Sequence, residues 1–279
     1  MMQPSWTLSG FGDEIDADPT MQICVLQALG ARHIEVRSAW NTNIVDLSGD
    51  QLDQLAAILG ERQMSVSAIA SPIGKVDIAG DEASELARLE RAITAAHRLD
   101  SRFIRIFSFY RGADVPVTDI RDAVLARMRA FADLAERNDV VLVHENEKDI
   151  YGDIPDRCRD LIESVGSSAL QVAWDNANFV QVGVQPFTDG YAMLRPYLAY
   201  LQVKDAIMGT DEVVPAGHGD GQLRETLTAL RDDGYTGFAS LEPHLALQHG
   251  LGGFSGPAEF GRAARAFATL TDSIGVNLI

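Results

Sequence analysis

Apolar residues along this chain follow two alternating rhythms. Short β-branched or aromatic runs, each ending in polar residues, read "TLSGFGDE", "HIEVR", "VSAIASP", "FIRIFSF", "VVLVHEN", "LQVAWDNAN", "YLQVKD" and "GFASLEPH". Between them lie amphipathic stretches with helical spacing. The boundaries are marked. Asp18 precedes Pro19 ahead of "TMQICVLQALG", which predicts Asp18 as a helix cap, Pro19 in the first turn and Gly30 as the stop. Asp220 is placed to cap "GQLRETLTALRDDG", and Gly256 with Pro257 to open the last helix, "AEFGRAARAFATL". Three passages, "ALGARHIEVR", "RLDSRFIRIF" and "DDGYTGFASLE", repeat a helix end, a short link and a strand. Strand ends recur about every 25 to 40 residues, a period suited to βα units. Eight such units predict an α/β chain folded as a closed (β/α)8 TIM barrel rather than a doubly wound sheet. No GxGxxG or GxxxxGK[ST] loop follows the first strand, which weakens dinucleotide-binding and P-loop readings. No Pro/Ser linker divides the chain, so one domain is expected over residues 1–279.

In a barrel of this kind the chemistry sits at the C-terminal ends of the strands. Those ends supply Asp13 and Glu14, Glu35 and Arg37, Arg105 and Ser108, Glu145, Asp175 with Asn176 and Asn178, Gln202 with Lys204 and Asp205, and Glu242 with His244. Side chains alternate along a strand, so parity selects those that can point inward. If Glu145 faces the barrel axis, Val143 does too, while Leu142 and His144 face the helices. By the same count Asp175 pairs with Ala173, Gln202 with Lys204, and Glu242 with Ser240 and His244. The outward set, Val172, Trp174, Leu201, Val203, Ala239 and Leu241, is mostly apolar, as a helix-covered face requires. Glu145, Asp175 and Glu242 would then converge on one axis. Three carboxylates repel one another unless protons or a cation intervene. A hard divalent ion resolves this, with Mg²⁺ or Mn²⁺ suited best to oxygen ligands.

Composition narrows the partners. Lys plus Arg number 23 against 40 for Asp plus Glu, a net charge of −17, which disfavours nucleic acid and anionic membranes. The two cysteines, Cys24 and Cys158, lack CxxC spacing and argue for a reducing, cytoplasmic setting. Neither a signal-peptide pattern nor a long apolar stretch occurs. Cys24, among apolar neighbours, is expected in the core. A homodimer is expected only on the general prevalence of twofold assemblies.

The segments "HIEVR", "IRIFSFY", "HENEKDIYGD", "WDNANFVQVG", "YLQVKDA" and "SLEPHL" resemble the xylose isomerase-like TIM-barrel superfamily of sugar isomerases and epimerases, which also holds endonuclease IV-type enzymes. In its epimerases one metal ion is held by Glu, Asp, His and Glu from strands five to eight. The resemblance places these ligands at Glu145, Asp175, position 202 and Glu242. Position 202 is Gln here, a weaker ligand for transition metals than imidazole that shifts preference toward hard ions, with Zn or Co less favoured than Mn or Mg. The implied chemistry is proton transfer beside a carbonyl through an enediolate, with Glu145 and Glu242 as the catalytic pair. Glu35, Arg105, Asn178, Lys204 and His244 are the expected contacts to a small-molecule sugar, sugar phosphate or polyol.

Plainer roles stand beside these. A strand-end carboxylate often only caps the next helix. Arg105 serves equally as an ion-pair partner of Glu35 or Glu145. Lys204, on the same face as Gln202, reads also as an ammonium placed near the carboxylates that partly replaces the metal, or with Asp205 as a strand-end ion pair, and Asn176 or Asn178 read as turn residues. His144 is expected outward and hydrogen-bonded. His97, His218 and His249 are expected on the surface. Two other functions use the same residues: a keto-polyol dehydratase or lyase, and a non-catalytic polyol-binding protein, for which Gln202 speaks. An apurinic endonuclease is disfavoured by the acidic charge and by a total of six histidines.

Overall fold

The computed structural model describes residues 3–246 and 253–279; His249 lies outside the described residues. Among the described residues eight parallel strands form the centre: β1 (Ser5–Gly10), β2 (His33–Val36), β3 (Ser65–Ala70), β4 (Phe103–Ile106), β5 (Val141–Glu145), β6 (Leu170–Asp175), β7 (Leu198–Val203) and β8 (Phe238–Leu241). They pair in the ring order β1, β8, β7, β6, β5, β4, β3, β2. A parallel bridge between Phe11 and Glu35 joins the β1 and β2 sides. The C-terminal residues Asn277–Leu278 add to the start of β1.

Helices follow the strands in turn: α1 (Pro19–Ala28), α2 (Gly49–Glu61), α3 (Glu82–Arg98), α4 (Arg121–Arg137), α5 (Pro155–Val165), α6 (Asn176–Gln181), α7 (Leu223–Asp232) and α8 (Gly256–Ser273). Their apolar stripes explain their seating. In α3, Leu89, Ala92, Ile93 and Ala96 fall on one buried face at helical spacing. That face packs on β3 and β4, and with the outward strand residues Leu142, Val172, Trp174 and Leu201 it belongs to one large apolar layer around the barrel. The inward residues Ala68, Val141, Val143, Ala173 and Tyr200 form a separate small cluster inside the barrel. The period-two alternation is thus realised as two distinct cores.

Asp18 caps α1 by accepting from Thr20 N at 2.9 Å, with Pro19 in the first turn, as expected. Two expectations are corrected. Asp220 does not cap α7: its carboxylate accepts from Met208 N at 2.8 Å, and the helix starts after Gln222, which is left-handed at φ 48°. The reason is Asp205, around which this loop is wound. Its Oδ2 accepts from Gly217 N and Gly219 N, and its Oδ1 from Gly221 N, each at 2.9 Å. A Cβ at Gly219 or Gly221 would stand 2.5 or 2.6 Å from that carboxylate. Asp205 is therefore a loop organiser, and its carboxylate is occupied by backbone amides. Cys24 is only half-buried, because α1 turns Ile23 and Leu26 to the core and leaves the thiol on the flank, 3.3 Å from Arg62 Nη1.

Candidate active site at the C-terminal mouth

Strand β5 brings Glu145 to the inner face, and β6 ends in Asp175. Asp175 both caps a helix and faces the inner cluster. Its Oδ1 accepts from Asn178 N at 2.9 Å, capping α6, while Oδ2 stands 2.9 Å from Lys204 Nζ. Asn146 ties the two strand ends together: its Nδ2 donates to Asp175 O and its Oδ1 accepts from Asp175 N, both at 2.9 Å. Asn178, which begins as a turn residue in sequence terms, donates to Glu145 Oε1 at 2.9 Å and to Asn146 O at 2.8 Å. Asn176 is buried as a brace, donating to Gly221 O at 2.6 Å and accepting from Trp174 Nε1 at 2.9 Å.

Glu242, just past β8, is the hub. Its Oε2 accepts from Lys204 Nζ at 3.1 Å, and its Oε1 from Arg37 Nη1 at 3.1 Å. His244 Nε2 lies 3.3 Å and Arg105 Nη1 3.7 Å from the same Oε1. Arg105 also donates to Glu145 Oε2 at 3.0 Å. Its guanidinium lies over the rings of Phe107 and Phe11, at 4.7 and 5.3 Å from their centres. Arg37 donates to Asp13 Oδ2 at 2.8 Å. Oxygen atoms of Glu145, Asp175 and Glu242 come within 4.8 Å of one another.

Gln202 lies beside Glu145. With its amide nitrogen turned that way, it donates to Glu145 Oε2 and Oε1 at 3.0 and 3.2 Å; turned over, it offers its carbonyl oxygen on the same side. Glu35 is set deeper, with no exposed surface, and accepts from Tyr200 Oη at 2.9 Å. His144 points outward and is buried against Ser108 Oγ, at 2.9 Å from Nε2; burial pushes its pKa down to about 3 and keeps it neutral. His97 and His218 are exposed.

The charge balance is uneven. Asp13, Glu14, Glu35, Glu145, Asp175 and Glu242 face Arg37, Arg105 and Lys204 as their nearest permanently charged partners among the described residues, with Lys75 acting on Glu145 from further out. Burial consequently pushes Glu35 and Asp175 up to about 7, Arg105 opposing the rise at Glu35 and Lys204 at Asp175. Burial also raises Glu145 and Glu14. At Glu242 burial acts upward too, but Lys204, then His244 and Arg105, hold the carboxyl well below its ordinary range. Protons or one divalent cation would each relieve the excess of negative charge. The convergent carboxylate and amide oxygens fit a hard divalent ion.

Several mouth residues had no assigned role in the sequence reading. Glu14 accepts from His244 N at 2.9 Å and Ser255 Oγ at 2.7 Å, clasping the segment after β8. Lys75 pairs with Glu147 at 2.9 Å over the Phe107 ring. Arg37 was detectable, since it shares parity with Glu35 in "HIEVR". Lys75 carried only a loop signal, "SPIGK", and its place depends on residues 73–78 pairing with 107–110 across the mouth, as in Phe107 N to Ile73 O at 2.8 Å.

Comparisons with known proteins agree with this architecture. A family model described as xylose isomerase-like TIM barrel matches residues 24–267. A 2-epi-5-epi-valiolone 7-phosphate 2-epimerase from Actinoplanes sp. is 31% identical over 182 residues, 64% of this chain and 64% of that protein. The match thus spans under two thirds of the curated relative. A xylose isomerase-like TIM-barrel protein from Mycobacterium smegmatis, solved in complex with magnesium, superimposes with a TM-score of 0.73 at 19% identity, covering 98% of each chain. D-psicose 3-epimerase, solved in the presence of D-fructose, gives a TM-score of 0.75 at 18% identity over 96% of this chain and 99% of that one. With an inward carboxylate set at the strand ends and a family match over most of its length, the chain belongs to the xylose isomerase-like TIM-barrel family.

Proposed function

We propose that this chain is a cytoplasmic isomerase or epimerase of a sugar, sugar phosphate or keto-polyol, working by proton transfer at a carbon next to a carbonyl. The observation that carries the reading is the convergence of buried Glu145, Asp175 and Glu242 within 4.8 Å at the C-terminal mouth. The names of the two epimerases above support it. Glu145, Asp175, Glu242 and the carbonyl oxygen of Gln202 would hold one divalent ion, Mg²⁺ or Mn²⁺ by their oxygen chemistry. When bound, that ion supplies Lewis-acid polarisation of the substrate carbonyl.

The chain's own groups do the rest. Glu242 and Glu145 are the acid–base pair, one taking the proton and the other returning one to the opposite face or to the neighbouring carbon. Arg105 stands between them, 3.0 Å from Glu145 and 3.7 Å from Glu242, where its fixed charge stabilises the negative charge of the enediolate. Asn178 fixes the orientation of Glu145 through the 2.9 Å hydrogen bond to Oε1. His244, 22% exposed at its side chain, and Lys75, 33% exposed, are the polar groups that meet substrate hydroxyls at the rim.

The test is product analysis on a panel of ketoses, keto-polyols and their phosphates with Mg²⁺ or Mn²⁺ present. A new isomer of unchanged mass, absent with Glu145→Gln, is the expected result. Loss of water from the substrate would replace the isomerase by a dehydratase on the same site, and tight binding without any product would leave a polyol-binding protein.

A further inference from the structure

Lys204 enters the carboxylate cluster from strand β7 and is itself buried, 4% exposed. Its Nζ stands 2.9 Å from Asp175 Oδ2 and 3.1 Å from Glu242 Oε2. Those are two of the three carboxylates proposed to hold the divalent ion. An ion gripping both would lie beside a full positive charge in a site from which water is largely excluded. Like charges at such a separation repel strongly wherever the surroundings screen poorly. Arg37 and Arg105 add to the opposing field, both reaching Glu242 Oε1. Of the other two donors, Glu145 is already paired with Arg105 at 3.0 Å, and Gln202 is an uncharged amide that sets neither charge nor a strong imidazole bond against this repulsion.

We infer that Lys204 is a tethered counter-ion that competes with the divalent ion for Asp175 and Glu242, so that this site takes metal weakly and exchangeably. The inference rests on the ion site proposed above, and it deepens that reading by naming what limits occupancy. It follows that metal loading requires the ammonium to leave the two carboxylates, and that removing its charge strengthens binding.

The test is calorimetric titration of the chelator-treated protein with Mn²⁺ alone, in the wild-type chain, Lys204→Met and Lys204→Gln. The glutamine variant keeps a donor for Asp175 and Glu242, which secures a folded protein if the methionine variant leaves those carboxylates too poorly paired. The expected result is binding at least about tenfold tighter in the folded variants than in the wild type. Mn²⁺ is likewise expected to raise the melting temperature of the variants more than that of the wild-type chain. Equal or weaker affinity in both variants would overturn the inference, as would tight, slowly exchanging Mn²⁺ in the wild-type chain. No substrate enters the measurement. A protein inactive on every sugar could still show the tenfold gain, and one active on a sugar could still fail to show it.

Discussion

The two ends of this barrel are built on opposite terms. At the N-terminal end Phe103, Tyr200 and Phe238 pack edge to face or tilted, with ring centres 5.7 to 6.3 Å apart, and further in a hydrogen-bond chain runs from Ser9 through Ser67 and Tyr200 to Glu35. The clefts of about 530 and 630 Å³ open here, lined in part by Met64, Phe103 and Phe238 and by Ser101 and Asn138. At the C-terminal end the buried carboxylates Glu145, Asp175 and Glu242 meet Arg37, Arg105 and Lys204. These two clefts therefore do not coincide with the proposed chemistry. Desolvated charge does, because burying like charges costs free energy that aromatic packing does not incur.

Substitutions at the two ends should separate function from stability. The largest effect is expected from Glu242→Gln. Lys204, Arg37 and Arg105 each keep another carboxylate, in Asp175, Asp13 and Glu145, so the fold should persist. Turnover should fall about 10³-fold, the range typical of a lost acid–base group, measured as kcat/KM on whichever sugar proves active. Met64→Ala, at the N-terminal end, should behave in reverse. It empties a buried position at the cleft, costing about 3 kcal/mol in urea unfolding while leaving kcat/KM unchanged. A loss of activity there without unfolding would break the contrast between the ends.

Glu35 lies between the two regions and sharpens the boundary. In the folded chain its carboxyl titrates near 7 instead of 4.5, because it is buried. A raised value means that the folded state holds a proton the unfolded chain releases above about 4.5. The stabilising contribution is thus complete below that pH and is lost as pH rises to about 7. Glu35→Gln lacks this dependence, so its stability relative to wild type should improve from pH 5 to pH 8 by about 2–3 kcal/mol in urea unfolding. A difference that stays constant with pH would contradict the assignment. Tyr200→Phe removes the hydroxyl that donates to Glu35 and should cost about 1–2 kcal/mol, with a smaller effect on KM than any change at the mouth.

How far the sequence reaches follows the same division. Parity along β5 to β8 placed Glu145, Asp175, Gln202 and Glu242 on one face, because alternation in a strand is a local property. The outward set of Leu142, Val172, Trp174, Leu201 and Leu241 was legible for the same reason, and it does line the helix-covered core. What parity could not reach was the wiring between strands. Lys204 was readable as a neighbour of the cluster, but not that it would bridge Asp175 and Glu242 while Asp205 turned away to organise a glycine loop. Glu14 and Lys75 gained their positions only when segments remote in sequence closed over the mouth, through Ser255 and Glu147. Asp220 failed as a cap because the loop around Asp205 set the start of the helix first.

The central claim is proton transfer beside a carbonyl by Glu145 and Glu242. The most direct measurement is incubation of the protein with ketoses and keto-polyols in D₂O, with Mg²⁺ or Mn²⁺, followed by NMR of the carbon next to the carbonyl. Deuterium should enter at that carbon with the wild-type chain and not with Glu145→Gln or Glu242→Gln. Incorporation that survives in both variants, or its absence across the panel with the metal-loaded wild-type chain, would contradict the account.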